Sequence, residues 1–555
     1  MNSLSHIERT ASLRHMSEQG VEILVVGGGI TGAGVALEAA ARGYPVGLVE
    51  KADFASATSS KSTKLVHGGI RYLPQFDIAL VREGLEERGR LVRNAPHLVR
   101  PLGFVLPLYK DARRPLGTPI VPPFGIGMSY VLMAGLLAYD ILAGKLSLGR
   151  FKRLGAQRGL ELAPCLNVDG LTNAFLYYDG QSDDTLLTST VLRTAAEKGA
   201  HLANYAEIIG FEQTHGRISA ALVHDHIGGG TYTIPVGTVV NAAGIFAERI
   251  ELLVEGTSTI EITPAKGVHL TVPREVLDIR TDAIVLPETD DGRLLFIVPW
   301  GNRVTIGTTD TQGGDLDDPR ASEADIEYLL RHVNRYMRCK LTREDIISAW
   351  AGYRPLVSKR GAGASSKLSR THVVLDSPGG MVSIVGGKLT SYRRMAEDTM
   401  NHVAEKLGKP KQQVTRDLPL AGAAHWQAAV DRLKAAAPGY GLQADTVERL
   451  ANYGSEVEVM LGWLADDRAL AERVTPELPY IMAEVVFACR YEMALQLADV
   501  LERRLHLNFE DRSRGVDAAP AVARLMAKEL HWNEAEVEQQ VAGYRALVAQ
   551  QAVVG

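Results

Sequence analysis

Cysteine is scarce in this 555-residue chain: only Cys165, Cys339 and Cys489 occur, too far apart to form a CxxC pair. Their scarcity argues against a disulfide framework, a cysteine-rich zinc centre and an iron–sulfur cluster, and fits a reducing, cytoplasmic setting. No D-x-[DN]-x-[DN]-G calcium loop is found, and no metal site is expected. Neither sign of charge dominates. The 60 Lys+Arg against 65 Asp+Glu leave a net −5, which is not the balance of a dedicated nucleic-acid binder. Long apolar runs are also lacking. A long stretch without Lys or Arg lies between Arg114 and Lys145, and its most apolar part, Tyr130 to Leu137, falls short of the roughly 20 residues a bilayer-spanning helix needs. Pro119, Pro122, Pro123 and Asp140 interrupt it, so no transmembrane helix is expected. Residues 1–20 are polar, without the apolar centre of a signal peptide, and read as a flexible tail.

With 46% hydrophobic and 23% charged residues, the composition is that of a soluble globular protein, and the length suggests three to four domains. Val21 to Val26 reads as a buried strand, Val35 to Arg42 as an alanine-rich helix stopped by Gly43, and Tyr44 to Val49 as a second strand ending at Glu50. Between the first strand and the helix stands Gly27-x-Gly29-x-x-Gly32. In that context the pattern is a dinucleotide-binding fingerprint. Gly27 permits the tight turn, Gly29 lets the backbone approach a pyrophosphate, Gly32 allows close helix–strand packing, and Glu50 can accept hydrogen bonds from ribose hydroxyls. NAD and FAD share this fingerprint, so it does not choose between them.

Further along, Leu186 to Lys198 reads as helix, while His201 to Phe211 and Thr231 to Asn241 read as extended. Beyond about Leu418, Ala- and Leu-rich helical stretches dominate, which places a separate helical domain at 410–555. Within it, Thr475-Pro476-Glu477 has the residues of a helix start. Charge is unevenly spread: residues 61–158 hold 16 Lys+Arg against 6 Asp+Glu, a local +10 that leaves −15 for the rest. This basic stretch surrounds the apolar segment Tyr130 to Leu142. The pair reads either as a buried helix with a solvated basic neighbour or as a surface that rests on an anionic membrane.

The segment Ala57-Thr58-Ser59-Ser60-Lys61-Ser62-Thr63-Lys64-Leu65-Val66-His67-Gly68-Gly69-Ile70-Arg71-Tyr72 follows the βαβ unit. Taken with the fingerprint, it resembles the FAD-dependent glycerol-3-phosphate dehydrogenases of the glycine-oxidase and D-amino-acid-oxidase superfamily. The resemblance recurs at Ile306–Asp310, Gly352–Leu356 and Gly386–Arg393, covering about residues 21–400 in order. It implies an α/β fold in which an FAD-binding Rossmann-like domain of glutathione-reductase type (about 21–95, 165–255 and 352–405) is interleaved with an α+β substrate domain (about 96–164 and 256–351). Together these make one oxidoreductase unit, 21–405, followed by the C-terminal α-helical domain. The scattered cysteines and the missing calcium loop point to the aerobic, single-subunit bacterial type.

The resemblance also implies site residues. FAD would be held by Gly27, Gly29, Thr31, Gly32, Glu50, Thr58, Ser59, Lys64, Leu65, His67, Gly387, Lys388, Leu389 and Thr390. The glycerol phosphate dianion would be met by Arg71, Tyr72, Arg354, Arg370 and Lys388, since an arginine fork makes paired bonds to phosphate oxygens. His67, Arg354 and Lys388 are the candidate catalytic residues. His67 would take the hydroxyl proton, the other role open to it being to pack against or hydrogen-bond the flavin. The implied reaction is oxidation of sn-glycerol 3-phosphate to dihydroxyacetone phosphate by hydride transfer from C2 to flavin N5, with electrons passed to a membrane quinone. The enzyme would sit peripherally on the inner face of the cytoplasmic membrane, and homo-oligomerisation is compatible with this. Alternatives are a glycerol-3-phosphate oxidase using oxygen, an amine or amino-acid oxidase of the same superfamily, and a non-catalytic or tRNA-modifying FAD protein.

Overall fold

The computed structural model describes residues 4–112, 115–117, 127–359 and 371–551. Strand β1 (Val21–Val26) is aliphatic and almost wholly buried, as a central parallel strand must be. It pairs in parallel with β2 (Val46–Val49) on one side and with the strand Thr231–Asn241 on the other. Helix α2 (Ile30–Ala41), built largely of small and aliphatic residues, crosses between β1 and β2 and is buried along nearly its whole length. His201–Ala203 extends the sheet beyond β2, and Val382–Val385 extends it beyond Thr231–Asn241; with Ala206–Thr214, Arg217–Asp225 and Val373–Asp376 it has eight strands among the described residues. This is the dinucleotide-binding half. A second sheet, of ten strands among the described residues, is mostly antiparallel; in it Ile260–Pro273 pairs with both Arg303–Gly307 and Ser348–Lys359.

The two sheets are interleaved in sequence as expected, but two borders move. Leu171–Gln181 belongs to the second sheet, because it pairs antiparallel with Arg100–Tyr109 along almost its whole length. Ser348–Lys359 does too, held by Ile260–Pro273, so the cofactor-side segments begin after these strands rather than at 165 and 352.

Residues 1–20 are not simply a tail. Ser5 caps helix α1 (His6–Gln19) by accepting from the Glu8 N–H, and Leu13 and Met16 pack in the core beside Val21. Arg9, 1% exposed, pairs with Asp225 at 2.5 Å, so the segment is anchored by a long-range ion pair that composition does not reveal.

Helix α3 (Ile78–Asn94) and helix α4 (Met128–Ala143) pack together through Leu80, Val81, Leu85, Leu132, Leu136 and Tyr139. The apolar helical stretch is longer than expected: Met128–Leu146 runs 19 residues and meets the length and composition of a spanning helix. One face of α4 is nevertheless packed into the protein through Leu132, Leu136, Tyr139 and Ala143. The opposite face exposes Tyr130 (55%), Leu137 (50%) and Ile141 (69%).

From Trp426 onward the chain is helical, with its own core around Leu478, Leu501, Val522 and Met526, while Phe487 packs into the core of the dinucleotide-binding half. Thr475-Pro476-Glu477 is a turn rather than a helix start; the next helix begins at Met482. Glu477 is instead used across the interface, its carbonyl accepting from Asn302 and its carboxylate pairing with Arg303. A π-helical turn, Asp499–Arg504, aims its charges into the oxidoreductase unit. Asp53 receives Arg503 Nε at 2.5 Å and Arg504 at 2.7 and 2.9 Å, Glu502 pairs with Lys61, and Asp183 receives Arg449 at 2.8 Å and His506 at 2.9 Å. These groups are buried, and buried charge is tolerated only when paired.

Candidate active site

A cleft opens between the two sheets at the carboxyl end of β1, where ligands bind in open α/β folds. Gly27 has φ 110°, and a Cβ there would stand 2.7 Å from the Ala242 carbonyl oxygen. A Cβ on Gly32 would stand 1.8 Å from the Gly27 carbonyl oxygen, so that glycine is required by packing and lies behind the cleft wall. At Gly29 the added atom would meet only Ser59 Oγ, at 3.0 Å, leaving the cleft side of the backbone open to a ligand. Glu50 Oε2 accepts from Gly28 N–H at 2.6 Å and Oε1 from Ala52 N–H at 3.0 Å, and burial raises its pKa. The turn thus presents open backbone and a carboxylate fixed by its own N–H groups, which is the donor and acceptor set a dinucleotide needs.

Across from β1, Ser59 Oγ accepts from Ile30 N–H at 2.9 Å, and Thr58 Oγ1 donates to the Tyr353 carbonyl at 2.7 Å. These bonds seat the Thr58–Ser60 turn on both sheets. Gly386 and Gly387 are left-handed (φ 79° and 80°) and reverse the chain ahead of the Leu389–Ser391 turn, from which the helix Tyr392–Lys406 runs. Thr390 Oγ1 accepts from the His67 N–H at 3.0 Å, joining the two loops. Thr31, Leu65, Gly387 and Leu389 complete this part of the lining.

His67, Arg71, Tyr72, Arg354 and Lys388 line the same cleft. Lys388 Nζ is buried without a hydrogen-bond partner and lies 4.2 Å from the centre of the Tyr72 ring. Burial lowers its pKa, so an arriving anion is what most favours its charged form. Arg71 also lies over that ring, 5.4 Å from its centre. Arg354 is held by the Thr309 carbonyl, Asp310 and Thr308 Oγ1, each at 3.3 Å. For His67, burial first and the Lys388 charge second push the imidazole down to about 4, so it is neutral near pH 7 and able to accept a proton.

One nominated residue points elsewhere. Lys64 does not line the cleft: it adopts a left-handed backbone (φ 58°) and its ammonium turns away to Asp184 at 2.6 Å, while the adjacent Leu65 faces in. Arg370 lies outside the described residues. The cleft also gathers residues that the sequence did not nominate. His269 lines it, stacked on Trp350 at 4.2 Å and bonded to Thr63 Oγ1 at 2.9 Å. Its signal was the period of two on a strand, since Gly267, two residues earlier, also faces the cleft. Asp179 lines it as well, with no local motif to mark it, and so does Lys61, which stands within the Ala57–Tyr72 segment without having been nominated.

Residues 22–393 match the model of the FAD dependent oxidoreductase family, and 413–537 that of the C-terminal domain of alpha-glycerophosphate oxidase. The chain is 36% identical over 551 residues to glycerol-3-phosphate dehydrogenase 2 of Mycobacterium bovis, covering 98% of this chain and 91% of that one. It is 35% identical over 555 residues to the mitochondrial glycerol-3-phosphate dehydrogenase of Bos taurus, covering 96% of this chain and 73% of that one. Among solved structures, glycerol-3-phosphate dehydrogenase from Bacillus halodurans complexed with FAD superposes with a TM-score of 0.80 at 29% identity, covering 99% of both chains.

Proposed function

The chain belongs to the FAD-dependent glycerol-3-phosphate dehydrogenase family, and from that membership we propose that it oxidises sn-glycerol 3-phosphate at C2 and delivers the electrons to a membrane quinone. The cofactor is FAD. Gly27, Gly29 and Thr31 would receive its pyrophosphate, Glu50 its ribose, and Thr58, Ser59, Leu65 and Gly387–Thr390 its ring system. Bound FAD supplies the hydride acceptor for the reaction. The observation that carries the reading is Lys388, a buried ammonium without a hydrogen-bond partner that shares one cleft with Arg71, Arg354 and a neutral His67. Arg354, Arg71 and Lys388 take the phosphate dianion and orient C2, and Tyr72 fixes Lys388 from below through its ring face. His67 accepts the hydroxyl proton as the C2–H bond breaks and the carbonyl forms. Arg354→Lys is expected to raise the KM for glycerol 3-phosphate about tenfold or more, with FAD content unchanged, because an ammonium cannot reproduce a planar fork. An unchanged KM would remove Arg354 from the phosphate site.

The features of α4 support a peripheral membrane location. The helix's exposed Tyr130, Leu137 and Ile141 have exposed Lys145, Arg150, Lys152 and Arg153 as neighbours in the chain, and Phe76 (73%) and Ile78 (43%), just before and at the start of α3, are exposed as well. Exposed apolar side chains with cations along the same stretch of chain suit the interface of an anionic membrane, where each basic residue contributes on the order of 1 kcal/mol. The protein is expected to co-sediment with anionic vesicles at low salt, less at high salt, and poorly with neutral vesicles. Equal binding to both vesicle types would contradict the electrostatic account. The match of residues 413–537 to an oxidase domain keeps oxygen as the competing acceptor. Substrate-dependent reduction of a quinone in those vesicles that outpaces oxygen uptake supports the dehydrogenase reading, and the reverse supports the oxidase.

A further inference from the structure

We propose that Asp179 is a positioning residue for His67, and that Tyr139 on α4 and Arg88 on α3 hold Asp179 in place; this rests on His67 being the proton acceptor. Asp179 stands on the strand Leu171–Gln181, is 2% exposed, and lines the cleft. Its Oδ1 accepts from Gly68 N–H at 3.1 Å, from Arg88 Nη1 at 2.6 Å and from Tyr139 Oη at 2.8 Å, and Tyr139 also reaches Oδ2 at 3.0 Å. Arg88 is steadied in turn by donating to the Tyr178 carbonyl at 2.9 Å.

The bond to Gly68 is the informative one. An ion pair serving packing alone has no need of the main-chain N–H that follows His67. His67 N–H is held by Thr390 and the next N–H by Asp179, so two side chains from different elements fix the peptide units flanking the imidazole. A Cβ on Gly68 would lie 2.5 Å from both Tyr139 Oη and Leu85 Cδ2, so the loop is pressed directly against α4 and α3. Around His67, Lys388, Arg71 and Arg88 oppose a positive charge on the ring, and Asp179 favours one. When the substrate hydroxyl gives its proton to His67 and C2 gives up its hydride with both bonding electrons, the imidazolium forms beside a fixed carboxylate. Arg88 and the Tyr139 hydroxyl keep that carboxylate from turning away.

The experiment is a double-mutant cycle on the FAD-loaded enzyme, with kcat, KM, FAD content and the pH profile of kcat/KM read for each variant. Asp179→Asn is expected to lower kcat about 10-fold or more, part of the roughly 100-fold or larger effect of a general base, with KM within twofold. Its acid limb is expected at lower pH than in the wild type, because the favouring charge is gone. Tyr139→Phe, which removes one hydroxyl and leaves the Asp179–Arg88 pair intact, is expected to lower kcat in the same direction and serves if Asp179→Asn folds poorly. In a His67→Gln background, Asp179→Asn is expected to change kcat less than twofold. A slow His67→Gln enzyme that Asp179→Asn slows again by the full factor would overturn the proposal while leaving His67 as base. A His67→Gln enzyme with unchanged kcat would overturn the base assignment and the proposal together. A Tyr139→Phe enzyme with wild-type kcat and pH profile would remove Tyr139 from it.

Discussion

Lys388→Met is expected to slow reduction of the bound FAD by glycerol 3-phosphate by about 100-fold or more while FAD content stays at the wild-type level. Methionine keeps most of the side-chain volume and removes only the charge. The Lys388 ammonium is buried without a hydrogen-bond partner, and it lies against the Tyr72 ring in the cleft that holds His67 and Arg354. A fixed cation in a site shielded from water acts on developing negative charge without the reorganisation that solvent requires, which is why one such group is worth several kcal/mol. The flavin and the phosphate are both anionic during the reaction, so the loss appears in the reduction rate first and in KM second. Stopped-flow reduction under anaerobic conditions reads it. A rate within threefold of wild type would show that Lys388 meets neither group.

Asp53→Asn is expected to destabilise the protein by about 3–5 kcal/mol, the cost of leaving buried charge without its partner. Asp53 takes three hydrogen bonds from Arg503 and Arg504, and the neutral amide would leave two guanidinium groups facing each other inside the interface. Thermal unfolding, followed by release of flavin fluorescence, should shift down by several degrees. An unchanged midpoint would show that the Asp53 pairs do not hold the helical domain in place. The same pair makes acid unfolding sensitive to this interface. Burial alone would raise the Asp53 pKa, but Arg504 and Arg503 outweigh it and hold the carboxyl below the ordinary aspartate value of 3.8. A group depressed on folding stabilises fully above its unfolded pKa, and that contribution is lost as pH falls toward the folded value.

What was legible in the sequence is what local rules control. β1, the glycine turn and Glu50 obey spacing and packing within thirty residues, and each stands where expected. The loop Thr58–Tyr72 and the turn at Gly387 were found through resemblance, which carries position along the chain but not the direction of a side chain. That is why Leu65 faces the cleft and Lys64 does not: one left-handed residue sends its ammonium to Asp184 instead. Asp179 gave no signal because its partners Arg88 and Tyr139 lie 91 and 40 residues away. α1 was missed for the same reason, since Arg9 finds Asp225 across 216 residues. The helical domain was recognisable by composition, whereas its charged contacts with Asp53, Lys61 and Asp183 are products of the tertiary fold and leave no periodic trace.

The central claim is that one cleft holds FAD and sn-glycerol 3-phosphate together, in reach of Lys388, Arg354 and His67. An anaerobic absorbance titration of the purified protein with sn-glycerol 3-phosphate tests it most directly, because the flavin band bleaches only if both occupy the cleft in register. Bleaching to completion with sn-glycerol 3-phosphate, and none with glycerol, with inorganic phosphate or with an amino acid, is the predicted result. A flavin that stays oxidised with sn-glycerol 3-phosphate, or that an amino acid reduces instead, would contradict the account.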